Sequence, residues 1–147
     1  MASATYRARV LVLKRTKLGE TDCICTLLAE DGSQIRAVAK GARKPSSPFT
    51  SRLELFSLCD VLLVKGKTLD IIKEVRLLEA YPRVRQTLEL TEAASPIVEL
   101  LEKGSASNLE NNKLFPLSTK ALSCLNSNQT NPSSFLVITC AHLLKAV

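Results

Sequence analysis

The sequence predicts a β + α chain, a five-stranded barrel followed by a small, incomplete helical bundle. Up to Tyr81 apolar residues alternate with a period near two between hairpin-type turns, and beyond Pro82 they recur at about 3.6. Charge divides at nearly the same place. Residues 1–87 carry 16 Lys and Arg against 9 Asp and Glu, and residues 88–147 carry 4 against 5. The 147 residues, 46% hydrophobic and 23% charged, suit one ordinary domain or two small ones. They speak against a disordered, collagen-like or disulfide-stapled chain. The expected division is a barrel domain over 1–81 and a partial helical domain over 82–147.

The first strand is expected at about 5–14, where Tyr6-Arg7-Ala8-Arg9-Val10-Leu11-Val12-Leu13 passes from alternation into a continuous apolar run. Lys17-Leu18-Gly19-Glu20 turns into a second strand at 22–29, and the pair Asp31-Gly32 makes a hairpin. Strand three, 34–40, puts Ile35, Ala37 and Ala39 on one face and Arg36, Val38 and Lys40 on the other. A Gly-, Pro- and Ser-rich loop over 41–51 leads to two β-compatible runs, 53–64 and 69–81, around the turn Lys65-Gly66-Lys67-Thr68. The second of these runs also reads as a helix. Beyond it Leu88, Ala93, Ala94, Ile97, Val98, Leu100 and Leu101 mark a helix that Pro96 is expected to kink or split. Residues 114–125, interrupted by Pro116, form a second helical segment. A third starts at Pro132, and its apolar arc of Phe135, Leu136, Ile138, Leu143 and Leu144 needs either later residues or a partner to cover it.

Five short strands joined by hairpins suit the oligonucleotide-binding (OB) barrel, and an SH3-like barrel also fits. OB barrels hold single strands with a positive groove and aromatic platforms. Between Gly32 and Leu53 stand Arg36, Lys40, Arg43, Lys44 and Arg52 with no acidic residue, so these five are candidate phosphate contacts. Lys14, Arg15 and Lys17 beside the first turn are secondary candidates. Aromatic residues are only 4%, and Phe49 in the basic loop either stacks a base or pins the loop to the barrel. Binding is therefore expected to be led by phosphate contacts. The plainer reading is that these cations merely solvate a barrel face, and Lys65 and Lys67 read as hairpin-tip solubility lysines.

Catalysis finds no support in the motifs. There is no Gly-rich phosphate loop, H-E-x-x-H helix or G-x-S-x-G elbow, so the chain is expected not to be an enzyme. On a helix, Cys140 and His142 would point about 200° apart, as packing residues do. Five cysteines without a C-x-x-C pair are expected to be reduced thiols, with Cys23 and Cys25 on one face of strand two, in the core. The longest apolar-rich run, 135–144, is about half of a membrane span and no export signal is visible, so a cytoplasmic protein without membrane contact is expected.

Three segments carry a family resemblance. They are Tyr6-Arg7-Ala8-Arg9-Val10-Leu11-Val12-Leu13-Lys14-Arg15-Thr16-Lys17-Leu18-Gly19-Glu20-Thr21-Asp22, then Ile35-Arg36-Ala37-Val38-Ala39-Lys40-Gly41-Ala42-Arg43-Lys44-Pro45, then Leu53-Glu54-Leu55-Phe56. In order and spacing they resemble the amino-terminal domain of the RecO family of bacterial recombination mediators, over about residues 5–82. Glu110-Asn111-Asn112-Lys113-Leu114-Phe115 is similar to the first part of that family's helical domain. The resemblance implies an OB barrel that binds single-stranded and double-stranded DNA, anneals complementary strands and works at the bacterial nucleoid. It also implies two partners, RecR and the acidic, hydrophobic tail of single-stranded-DNA-binding protein, whose removal from DNA lets RecA load. The resemblance places the pocket for that tail largely in the helical part. The family's carboxyl-terminal part, which in many members holds a zinc-binding cysteine cluster, is expected to be absent here. Cys124 and Cys140 have no partners at metal-ligand spacing, so neither zinc nor another cofactor is expected. The rival reading is a protein-interaction barrel that binds RecR or an acidic peptide and has little affinity for DNA. An RNA-binding barrel of translation fits the charge but not the motif order.

Overall fold

In the computed structural model, which describes residues 4–105 and 113–127, the first strand outruns its expected end because it serves two neighbours. β1 (Thr5–Leu18) pairs through Thr5–Leu11 with β4 (Leu58–Val64) and through Val10–Leu18 with β2 (Asp22–Ala29). β2 pairs antiparallel with β3 (Gln34–Ala39), and β4 with β5 (Asp70–Glu79). A short parallel contact, Ala37 and Val38 against Asp70 and Ile71, closes the barrel in the order β1-β2-β3-β5-β4. This closed five-stranded barrel, followed by helices, is the expected OB fold with a helical part.

Bulges decide which side chains face inward. Val10 and Val12 lie in the barrel interior opposite Ala29 and Leu27, but the register shifts between Val12 and Lys14. Beyond it Arg15 and Lys17 stand opposite the interior residues Cys25 and Cys23, and Lys14 and Thr16 lie on the outer face. β5 carries two further shifts, which leave Lys73 and Leu78 without direct partners on β4. The first puts buried Ile72 and Val75 three residues apart, the spacing that made this run compatible with a helix. It is a strand. Residues 53–57, expected to begin the fourth strand, instead form turns. Leu53 enters the barrel interior, while Phe56, at φ 71°, turns the other way into the helical core.

α1 (Pro82–Gln86) starts where the period changes, α2 (Leu88–Ser105) follows, and α3 (Leu114–Asn126) packs on both. Pro96 does not split α2, which runs through it. Pro116 does not interrupt α3, since it sits in the first turn, where a helix has no use for the missing N–H. The third expected helix, with Phe135, Cys140 and His142, lies outside the described residues. Among the described residues no helix is long and apolar enough to cross a membrane.

Two cores result. One fills the barrel with Val10, Val12, Cys23, Cys25, Leu27, Cys59, Val61 and Leu63. The other lies between the helices and one strip of the barrel wall, where Leu11, Leu13 and Leu28 meet Ile97, Val98, Leu101 and Leu122. β1 and β2 are thus apolar on both faces where the helices dock, which is why Val10-Leu11-Val12-Leu13 reads as an unbroken apolar run. Burial pushes the Cys25 and Cys59 thiols up to about 12, so both are protonated core residues.

Candidate nucleic-acid interface

The outer face of β1-β2-β3 is built by register. Lys14, Thr26 and Arg36 form one row across three strands, and Thr16, Ile24, Val38 and Ile71 form the next across four. Arg36 and Lys40 are exposed on this side of β3, four residues and so about 13 Å apart. Half-buried Ile24, Val38 and Ile71 make an aliphatic strip between them.

Lys40 leads into a loop that is held by many bonds. Gly41, at φ 69°, turns the chain, and its N–H donates to Asp22 Oδ1 at 2.7 Å. The Asp22 carboxyl is held below its ordinary 3.8, first by this N–H and then by the Thr21 hydroxyl and the charges of Lys40 and Lys44, which outweigh desolvation. Arg43 donates from Nε to the Asp22 carbonyl at 3.0 Å and from Nη2 to the Gly19 carbonyl, fastening the loop to the β1–β2 turn. Thr50 Oγ1 donates to the Ala42 and Lys44 carbonyls, and Arg52 Nη1 reaches the Val75 carbonyl at 3.4 Å. Phe49 is half-buried against the barrel core, so its ring pins the loop.

The other end of β3 meets the β4–β5 turn across a groove of about 520 Å³, whose walls include Tyr6, Arg7, Asp31, Arg36, Lys65, Lys67 and Asp70. The turn is anchored by Asp70, which accepts the Gly66 N–H at 3.0 Å and the Tyr6 hydroxyl. Gly66 is required for packing, because a Cβ there would stand 2.0 Å from the Leu69 carbonyl oxygen. The Lys65 ammonium sits 6.0 Å from the centroid of the Tyr6 ring. Lys65 and Lys67, which read as solubility lysines in the sequence, thus share a groove with Arg36. The signal that could have found them is position, since OB barrels bind ligands on the β2–β3 face between the β1–β2 and β4–β5 loops.

The adjoining β1-β4-β5 wall, which shares Arg7 with this groove, differs. Arg7 pairs with Glu74 at 3.5 Å, and Asp60 pairs with both Arg9 at 3.5 Å and Arg76 at 3.0 Å. Of the nine residues expected to touch DNA, only Lys14 makes an ion pair among the described residues, with Glu102 at 3.5 Å. Arg36, Lys40, Lys44 and Lys17 are exposed without an ion pair, whereas Arg43 and Arg52 spend hydrogen bonds on backbone carbonyls. Arg15 is half-buried, with Nη2 3.7 Å from Cys23 Sγ. The structure therefore brings Arg36, Lys65 and Lys67 to one end of β3 and Lys40 and Lys44 to the other, ties Arg43 and Phe49 into the loop, half-buries Arg15, and leaves Arg52 exposed with one bond to a backbone carbonyl. Among the described residues no three His, Cys, Asp or Glu side chains converge as metal ligands would.

Fold and face together define the class: an OB barrel with a helical appendage and cations left unpaired on one side. The family model described as "Recombination protein O N terminal" matches residues 1–81, more than half of the chain, which belongs to the RecO family. Proteins named "DNA repair protein RecO" are similar to it. That of Desulfitobacterium hafniense is 33% identical over 140 residues, covering 95% of this chain and 50% of the relative. That of Cutibacterium acnes is 44% identical over 96 residues, 65% of this chain and 39% of the relative. That of Bifidobacterium longum is 41% identical over 99 residues, 67% and 41%. The chain thus spans half or less of the length of these relatives.

Proposed function

We propose that this chain works in DNA repair as a DNA-binding recombination mediator. The barrel over 1–81 binds single-stranded and double-stranded DNA and anneals complementary strands, and the helical part from 82 onward serves partners. Those partners are RecR and the tail of single-stranded-DNA-binding protein, whose displacement helps RecA to load. The observation that carries this reading is the run of exposed cations that make no ion pair among the described residues, Lys65, Lys67, Arg36, Lys40 and Lys44, along one side of the barrel. Annealing needs no covalent chemistry. A cationic surface that neutralises both strands raises their encounter rate without specifying sequence. Neutralising about five phosphates gives a salt slope near −3.5 on single strands, so a fourfold rise in salt weakens binding by roughly a hundredfold. Titration of a labelled oligonucleotide at two salt concentrations tests this, and a flat response refutes it. Strand annealing with bare and with coated strands then separates the barrel's contribution from that of the helices.

A second reading, a protein-interaction barrel, is favoured by one cleft. Between barrel and α2, Leu13, Leu55 and Val98 lie beside Lys14, Arg15, Glu99 and Glu102 in a cavity of about 330 Å³, an apolar floor with charges of both signs at its rim that suits a peptide carrying both apolar and charged side chains. Reversing the charge of Arg43 is a poor way to separate the readings, because Arg43 fastens the loop. Lys40→Glu is the cleaner probe: loss of oligonucleotide binding with RecR binding intact supports the first reading, and the reverse supports the second.

A further inference from the structure

We propose that the cationic face grips a single strand by its sugar–phosphate backbone alone and leaves the base edges turned outward, open to an incoming strand. This rests on the DNA-binding reading above and specifies how that site takes its ligand. It follows from where the rings are. Among the described residues Phe56, Tyr81 and Phe115 are buried in the core between barrel and helices. Tyr6 is half-buried with its hydroxyl donated to Asp70, and Phe49 is half-buried against the barrel interior. Of these only Tyr6 lines the groove, at its β4–β5 end beside Lys65, and no ring stands in the two rows of side chains across the β1-β2-β3 face.

The accessible side chains between the cations are Thr16, Ile24, Val38 and Ile71. They are all β-branched, and none offers the flat face on which a base stacks. A base turned edge-on into this strip would also desolvate its polar edge against Ile24, Val38 and Ile71 with nothing to pair it. Turned outward, the same edge stays hydrated while the phosphates reach Arg36, Lys40 and Lys44. A strand held in this way is presented for pairing without first being peeled from the protein.

The test compares the 147-residue chain's affinity for an oligothymidylate and for an abasic oligomer of equal length, at low salt. Permanganate oxidation of the bound thymines is the second readout. The proposal expects affinities within about twofold of each other, since the phosphates are the same. It also expects thymines as reactive in the complex as in free strand. An abasic oligomer weaker by about fivefold or more, the loss of a single stacked base, overturns the proposal, as does protection of the thymines. In either case DNA binding itself stands. If neither oligomer binds, the DNA-binding reading fails and this proposal falls with it.

Discussion

The two charged walls of the barrel both carry exposed cations and differ in what faces them. On the β1-β4-β5 wall the guanidiniums of Arg7, Arg9 and Arg76 lie within 3.0–3.5 Å of Asp60 or Glu74. Along β3, the loop after it and the β4–β5 turn, Arg36, Lys40, Lys44, Lys65 and Lys67 make no ion pair. Exposed pairs such as Arg7–Glu74 add at most about 1 kcal/mol to stability. Their larger consequence is to weaken the attraction of that wall for a polyanion, since two carboxylates offset two of its three guanidiniums. What a basic composition offers a nucleic acid is therefore set by the cations without partners, not by net charge.

The sharpest way to break this contrast is to neutralise one wall at a time. Arg36→Gln with Lys40→Gln removes two unpaired cations and is expected to weaken single-strand binding by about a hundredfold at about 50 mM salt. Arg9→Gln with Arg76→Gln removes two paired ones and is expected to change affinity by less than about threefold, measured by fluorescence anisotropy. Equal losses from both pairs would mean that pairing does not matter. The converse experiment is Asp60→Asn with Glu74→Gln, which frees three arginines. It is expected to tighten binding and steepen the salt slope by up to about 2. An unchanged slope would show that only the β3 side meets DNA.

Asp22 gives a smaller lever, on the binding side itself. Asp22→Asn keeps an acceptor for the Gly41 N–H but removes the negative charge beside Lys40 and Lys44, so affinity should rise and the slope steepen by up to about 0.7. The same carboxyl predicts an acid response. Its folded value lies below its ordinary 3.8, so its contribution to stability is present above that pH and is lost as pH falls through the folded value. Exchange of the Gly41 amide, corrected for its intrinsic pH dependence, should speed up over that interval, and in Asp22→Asn this extra step should vanish. The smallest effect belongs to the interior that both walls share. Cys25 and Cys59 rise from 9.0 to about 12, so their contribution is full below pH 9 and falls as pH climbs towards 12. Thermal melts should decline over that range, and thiol reagents at neutral pH should label Cys124 before either of them.

The helical part was legible to a different degree. Its apolar spacing identified Ile97, Val98 and Leu101 as core, and they are. The same spacing could not show that Leu11, Leu13 and Leu28 would be their partners, because that contact joins residues far apart in the chain. Pro96 and Pro116 were read as breaks from residue type alone, whereas the cost of a proline depends on where it falls in a helix.

By itself the sequence determined the alternation of β2 and β3, the change of period at Pro82, the acid-free run from Gly32 to Leu53 and the resemblance to the RecO family. These are properties of near neighbours and of order along the chain. The tertiary structure alone decided three things: the bulge that turns Lys14 outward and Arg15 and Lys17 to the inner side, the meeting of Lys65 and Lys67 with Arg36, and the ion pairs that damp one wall. The physical reason is cross-strand register. Asp60 meets Arg76 16 residues away and Arg9 51 residues away, and a shift of one residue in either ladder would send those side chains to opposite faces of the sheet.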